Sequence, residues 1–322
     1  MKALVFKEID KYPEIEMVDN PTTSCDSEIL AFVNAASLNH RDLWIVKGQY
    51  PGIVFPSILG SDGCVRIGDE NFLINPNNDW GESDRFQSKA YNILGLPRSG
   101  TFAEQIVVKK DRLHPKPLHL NNEEASAIPL AGLTAWRAAV TKCQIKENDT
   151  VLINGIGGGV ALFAFQFALA LGASVFVTSS SDEKIEKAIA MGAKGGVNYK
   201  YPDWDKKIIA LSNGFDAVID SAAGDGFNKL VKISKPGGNI CFYGGTQGNI
   251  NGLNPQNIFW KQLTIHGSTM GTDKEFETML SFIDLHKIRP VVESIFPFED
   301  AHKAFETMNT GSQFGKIVLK IS

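Results

Sequence analysis

Four glycines, Gly155, Gly157, Gly158 and Gly159, follow an apolar run at 151–154 and precede a second apolar run beginning at Val160. A strand, a glycine turn, a helix and a further strand make the βαβ unit that grips a dinucleotide. Gly155 can bend the chain tightly, Gly158 lets backbone approach a pyrophosphate, and Ala161 is small enough for helix and strand to pack closely. Amides at the helix N-terminus then face the phosphate. The plain alternative is an αβ turn that binds nothing. The context favours the dinucleotide: over 160–171 only Gln166 is polar, so the helix is buried on nearly all sides, and Gly172 stops it before a strand that begins at Ser174.

The end of that second strand decides which dinucleotide. An Asp or Glu there would take the 2′-hydroxyl of NAD. The chain instead has Thr178-Ser179-Ser180-Ser181. Hydroxyls of Ser179 or Ser180 can bond a 2′-phosphate, and Lys184 lies within a helical turn to neutralise it. Asp182 argues the other way, unless it is a helix N-terminal acid favoured by the dipole. Lys184 has a solvated helix face as its alternative. NADPH is the expected cofactor.

These residues need two domains to carry them. At 322 residues the chain exceeds one ordinary core, and 43% apolar content suffices for two. Thirty-two basic residues against 36 acidic ones give −4, and no Lys/Arg cluster points to nucleic acid. No stretch approaches the roughly 20 uncharged apolar residues of a membrane span. Charge appears at Lys2 and again at Lys7-Glu8, too early for a signal peptide, so a cytoplasmic location is expected. Cys25, Cys64, Cys143 and Cys241 form no CxxC pair and read as free thiols.

Residues 1–120 read as short strands at 3–6, 28–36, 63–67 and 103–108, broken by turns such as Pro51-Gly52 and Asn75-Pro76-Asn77-Asn78. That suits a mostly-β domain of barrel type. Asn121-Asn122-Glu123-Glu124 caps a helix start. From 150 onward, strands at 150–154, 174–178, 196–198, 216–220, 238–243 and 263–267 alternate with helices at 158–171, 182–191, 203–212, 226–233 and 256–261. The pattern implies a doubly wound parallel sheet. A helix at 273–285, a strand near Val291, a capped helix at 298–306 and a strand at 316–321 fit better against the N-terminal β domain. The expected division is 1–122 with 268–322 for the β-rich domain and 123–267 for the dinucleotide domain.

Several segments in order along the chain carry a family likeness: Ser37-Leu38-Asn39-His40-Arg41-Asp42-Leu43-Trp44, Leu59-Gly60-Ser61-Asp62-Gly63, Ala131-Gly132-Leu133-Thr134-Ala135-Trp136, the glycine turn, Phe215-Asp216-Ala217-Val218-Ile219-Asp220, Gly237-Gly238 and Gly267-Ser268-Thr269-Met270-Gly271-Thr272. The chain resembles the medium-chain dehydrogenases/reductases, and within them the zinc-free, quinone-oxidoreductase-like branch. The resemblance implies an α/β fold with a GroES-like β-rich catalytic domain and a Rossmann domain. It also implies a homodimer, paired through the edge strand at 263–267.

Zinc-dependent relatives carry a Cys three residues before an Asp, and later a Gly-His-Glu. Here those places hold Asn39, before Asp42, and Gly60-Ser61-Asp62. Zinc favours thiolate and imidazole, and the region 74–100, where relatives hold structural zinc, has no Cys. No metal is expected, so hydride would pass to an acceptor activated without one, a quinone or conjugated enone. Asn39 is the first catalytic candidate, since its amide can hydrogen-bond a carbonyl oxygen, while Asp42 reads as ordering the loop. Where relatives often have a Tyr, the chain has Trp44; Tyr50 is the nearest substitute as proton donor, with ring packing and solvent as the alternatives. The resemblance places Tyr199 at the 2′-phosphate, Gly244, Gly245 and Thr246 at the nicotinamide ribose, Met270 at the carboxamide end and Thr134 near the nicotinamide. Ordinary turn and helix roles are the alternatives for Gly244-Gly245 and Thr134. The expected function is zinc-independent, NADPH-dependent reduction of a quinone or α,β-unsaturated carbonyl. The rivals are a reductase of simple aldehydes or ketones and a nucleotide-binding protein without turnover.

Overall fold

Apolar residues at almost every position of Glu28–Ser37 make this the organising strand of the first half of the chain, with Ala31, Val33, Ala35 and Ala36 fully buried. The computed structural model describes residues 1–322 and divides into two units, 1–133 with 271–322 and 134–270. In the first unit a seven-stranded sheet runs Leu113–Pro115, Glu70–Ile74, Asp62–Ile67, Glu28–Ser37, Lys316–Lys320, Val292–Pro297, and Gln105–Lys109 also pairs with Glu28–Ser37. A three-stranded sheet of Glu14–Met17, Lys2–Phe6 and Ser57–Ile58 lies in the same unit. Phe6, Leu38, Phe102 and Phe305 are buried in one shared core. Each such side chain contributes about 1.5–3 kcal/mol by leaving water.

The C-terminal pieces belong to this β-rich unit. Lys316–Lys320 is antiparallel to Glu28–Ser37, with Val318 opposite Ser37. The helix Ala301–Thr310 buries Ala304, Phe305 and Met308 in the same core. A helix the periodicity did not reveal, His40–Val46, is only seven residues long. The segment 75–100 carries only the two-stranded pair Asn77–Asn78 and Asn92–Ile93. Trp80, 4% exposed, packs edge-on to Tyr91 with centroids 5.3 Å apart, and donates its indole N–H to the Ser83 carbonyl.

The second unit is a six-stranded parallel sheet, ordered Gly195–Asn198, Ser174–Ser179, Thr150–Asn154, Phe215–Asp220, Ser234–Phe242, Thr264–Gly267. Numbered along the chain, that order is 3-2-1-4-5-6. It reverses between Thr150–Asn154 and Phe215–Asp220, where ligands sit outside the strand C-termini. The helix Gly159–Ala170 buries Ala161, Leu162, Phe163, Ala164, Phe165, Phe167 and Ala168, so its near-total apolarity reflects burial all round.

The chain passes between units inside the helix Pro129–Trp136, after Leu133, and again after Met270. The boundaries drawn from patterning, after 122 and after 267, fall earlier. The helix Asn122–Ser126 accounts for the first difference. It packs on Glu28–Ser37 and Asp62–Ile67, and the Ser126 carbonyl accepts from the Ser37 hydroxyl at 3.0 Å. No helix is long and apolar enough to cross a membrane.

Candidate functional site

In the β-rich unit the candidate Asn39 belongs to a cluster around one carboxylate, whereas Tyr50 is placed against Arg41. Asp62 begins the strand Asp62–Ile67 and is fully buried. Its Oδ2 accepts from the Ser37 hydroxyl at 3.0 Å, Asn39 Nδ2 at 2.9 Å and Lys316 Nζ at 3.0 Å. Its Oδ1 accepts from the Leu130 backbone N–H at 2.7 Å. Both oxygens thus have donors, three on Oδ2 and one on Oδ1, as a buried charge requires.

Lys316 is 4% exposed. Strand pairing brings it here: Leu38 N–H donates to the Ile317 carbonyl, so the residue before Ile317 lies beside the Leu38-Asn39 turn. Its ammonium donates to the Leu38 carbonyl at 2.8 Å and to Asn39 Oδ1 at 2.7 Å, as well as to Asp62. Asp42 closes the start of His40–Val46 by accepting from Asn39 N–H at 2.8 Å, the loop-ordering part expected of it. Burial pushes the Asp42 carboxyl up to about 6, partly opposed by the Arg41 charge. Arg41 donates to the Ser61 hydroxyl at 2.7 Å and the Leu94 carbonyl at 3.0 Å, and its guanidinium lies 4.9 Å from the centre of the Tyr50 ring. Tyr50 packs at the edge of the main core. No group of three or more His, Cys, Asp or Glu is placed to hold a metal ion.

In the parallel-sheet unit the glycine turn is pinned to the neighbouring strand. Thr178 Oγ1 donates to Asn154 Oδ1 at 2.6 Å and accepts from Gly155 N–H at 3.0 Å, and Ile156 N–H donates to the Thr178 carbonyl at 2.7 Å. Gly155 at φ 81° and Gly157 at φ 143° use backbone that side-chain-bearing residues rarely adopt. Nothing lies within 4 Å of the point where a Cβ on Gly158 would stand. Gly158 caps the helix that Gly159 and Val160 begin. The turn therefore offers open space beside helix N-terminal amides, the cradle a diphosphate needs.

Ser179 and Tyr199 meet at the C-terminal ends of Ser174–Ser179 and Gly195–Asn198, and Ser180 and Lys184 follow Ser179 in the chain. Ser179 is paired in register with Asn198, and Tyr199 N–H donates to the Ser179 carbonyl at 3.0 Å. Ser179 Oγ accepts from Ser181 N–H at 3.2 Å, and Ser181 Oγ accepts from Lys184 N–H. Tyr199 is 41% exposed. Gly244, Gly245 and Thr246 follow Ser234–Phe242 at the same end of the sheet, and a Cβ on Gly244 would stand 2.6 Å from the Ser221 carbonyl oxygen. Met270 is buried shortly after Thr264–Gly267, and Thr134 is buried in Pro129–Trp136.

Reading the sequence missed Lys316 and assigned Asp62 no role. A lysine heading the apolar strand Lys316–Lys320 was the available signal, since a lysine inside a core needs a carboxylate. It also missed Asn154 with Asp220, paired at the point where strand order reverses: Asn154 Nδ2 donates to Asp220 Oδ1 at 2.7 Å.

Residues 26–118 match the family described as "Alcohol dehydrogenase GroES-like domain" and residues 159–284 the family described as "Zinc-binding dehydrogenase". The zinc-type alcohol dehydrogenase-like protein YogA of Leptosphaeria maculans is 36% identical over 96% of this chain and 95% of its own length. A crystal structure of an NAD-dependent alcohol dehydrogenase superposes with a TM-score of 0.93 at 34% identity, covering 100% of both chains. The quinone oxidoreductase of Thermus thermophilus, solved also with NADPH, superposes at 0.82 with 26% identity, again over 100% of both chains. On fold, matched domains and full-length identity, the chain belongs to the medium-chain dehydrogenase/reductase superfamily of oxidoreductases, with an alcohol dehydrogenase-like architecture.

Proposed function

We propose that the chain is a zinc-independent, NADPH-dependent reductase that transfers hydride to a quinone or an α,β-unsaturated carbonyl. One observation carries the reading: an ammonium, that of Lys316, lies within hydrogen-bond distance of both Asn39 and Asp62. Asn39, and Ser61 next to Asp62, stand where zinc-dependent relatives have a Cys and a His. The donor set does not suit zinc. The Asn39 oxygen faces a cation, the Asp62 oxygens accept four donors, and the Ser61 hydroxyl donates to the Leu94 carbonyl while accepting from Arg41. Zinc favours several thiolate or imidazole ligands together, and no group of three or more His, Cys, Asp or Glu is placed to hold a metal ion.

Without a Lewis acid, the acceptor must already be polarised. A quinone or enone meets that requirement, because hydride adding at the conjugated carbon forms the C–H bond with its own pair and shifts the π electrons onto the carbonyl oxygen. The Asn39 amide would donate a hydrogen bond to that oxygen as charge develops there, and the Tyr50 hydroxyl would deliver the proton that completes reduction. A bound dihydronicotinamide supplies the hydride. Gly155, Gly157, Gly158, Gly159 and Val160 would hold its diphosphate, and Ser179, Ser180, Lys184 and Tyr199 its 2′-phosphate. The ribose and nicotinamide would lie along Gly244, Gly245, Thr246, Thr134 and Met270. The open space at Gly158 supports a nicotinamide dinucleotide there. Thr264–Gly267, the edge strand of the parallel sheet, is the proposed homodimer contact.

Likeness to an NAD-dependent alcohol dehydrogenase favours a second reading, reduction of simple aldehydes or ketones. Steady-state oxidation of NADPH against 1,4-benzoquinone, 2-cyclohexenone, acetaldehyde and acetone separates the two. Turnover on the first pair alone is expected. Turnover confined to the second pair, or none with any acceptor, overturns the proposal.

A further inference from the structure

The contacts of Lys316 fix which way round the Asn39 amide stands. An ammonium has three N–H donors and no acceptor. Its three partners, the Leu38 carbonyl, Asn39 Oδ1 and Asp62 Oδ2, use all three. The Asn39 atom facing it must therefore be oxygen, and the opposite atom, 2.9 Å from a carboxylate oxygen, must be nitrogen. The reverse orientation would set N–H against ammonium and C=O against carboxylate. Amide orientation is ordinarily ambiguous; here a charge on each side removes the ambiguity.

An amide nitrogen carries two hydrogens. One goes to Asp62, and the other has no partner in the protein. We infer that Lys316 and Asp62 are positioning residues that lock Asn39 so that it offers an N–H, never a C=O, to the acceptor oxygen. The inference rests on the reading of Asn39 as the acceptor's hydrogen-bond donor. The ammonium also polarises the amide: it draws electron density toward Oδ1, which makes the second N–H a better donor. A cation built into the β-rich unit thus strengthens a neutral donor without touching the substrate, since all three of its own N–H groups are used.

The test is a double-mutant cycle on the full chain, read as kcat and KM for 2-cyclohexenone with saturating NADPH. NADPH affinity is measured in parallel by fluorescence titration. Lys316→Met in the wild-type background is expected to lower kcat about 100-fold, the scale of a misplaced catalytic group, with NADPH affinity unchanged. In the Asn39→Ala background the same substitution is expected to change kcat little, because the group it orients is gone. Lys316→Arg should restore part of the loss. Asp62→Asn is read through the same cycle and decides the matter if Lys316→Met does not accumulate as folded protein. A Lys316→Met effect of equal size in both backgrounds, or no effect in the wild type, overturns the inference. If Asn39→Ala itself leaves kcat unchanged, the role given to Asn39 fails first, and the two failures are thereby told apart.

Discussion

Asn198 Nδ2 donates a 3.0 Å hydrogen bond to Asp182 Oδ1. The acid that argued for NAD is thus engaged across the ends of two adjacent strands, at the first position of the helix Asp182–Ala190. There its charge complements the helix dipole. Ser179, Ser180 and Lys184, the residues proposed above for a 2′-phosphate, lie within three positions of it in the chain.

The cofactor preference proposed above is tested at Lys184. Lys184→Ala is expected to weaken NADPH by about 1–3 kcal/mol, the range for a charge-assisted hydrogen bond, and to leave NADH nearly unaffected. Fluorescence titration of both cofactors against wild type and variant measures this. Equal wild-type affinities for NADPH and NADH would mean that Ser179, Ser180 and Lys184 do not read the 2′-phosphate.

The glycine turn was legible because everything that defines it is local: four glycines, an all-apolar helix after them and a glycine stop. The parallel, doubly wound character of the sheet around it followed from the alternation of strands and helices; the order of its strands is set by tertiary packing. Lys316 was not legible, because its carboxylate partner is 254 residues away in the chain. A lysine at a strand end reads equally as solvated until register places it beside Leu38 and Asn39. His40–Val46 escaped because seven residues give barely two turns of periodicity, and its main signal is a single acid, Asp42, closing back on Asn39. The strands Glu70–Ile74 and Leu113–Pro115 escaped for similar reasons, being short and flanked by polar residues. The domain divide was misjudged where a helix, Asn122–Ser126, belongs by packing to the unit that precedes it rather than to the one that follows.

Asp42 should make folding stability depend on pH. Its folded-state carboxyl is pushed up from 3.8 to about 6, mainly by burial. A raised acid binds its proton more tightly when folded. Its favourable contribution is therefore fully present below about pH 4 and is lost as pH rises through about 6. The ceiling is about 3 kcal/mol. Asp42→Asn keeps an oxygen for the Asn39 N–H but carries no charge. Urea unfolding of both proteins at pH 4 and pH 7 is expected to show the variant gaining on the wild type by up to about 3 kcal/mol at the higher pH. A stability difference that stays constant with pH would rule this out, since any fixed cost of the substitution is the same at both.

Tyr50→Phe isolates a hydroxyl. The ring contacts with Arg41 and the core survive the change, so packing is preserved. If the hydroxyl delivers the proton, turnover on enones is expected to fall about 10²–10⁴-fold, the worth of a general acid. The alkaline limb of the pH–rate profile should vanish with it. A change of only a few-fold would transfer the proton to solvent and leave Tyr50 a packing residue.

Zinc content tests the cluster around Asp62 most directly. A divalent cation at this place would have to displace the Lys316 ammonium from Asp62 and Asn39, and no group of three or more His, Cys, Asp or Glu is placed to hold it. Purified protein is expected to hold well under one zinc per chain by elemental analysis, and prolonged EDTA treatment is expected to leave NADPH-dependent turnover unchanged. Near-stoichiometric zinc, removed together with activity and restored with it, would mean that Lys316 leaves the site when metal enters. The intermediate result is equally informative. Zinc bound without effect on turnover would have to sit at a surface acid, and Lys316→Met would then not alter its affinity.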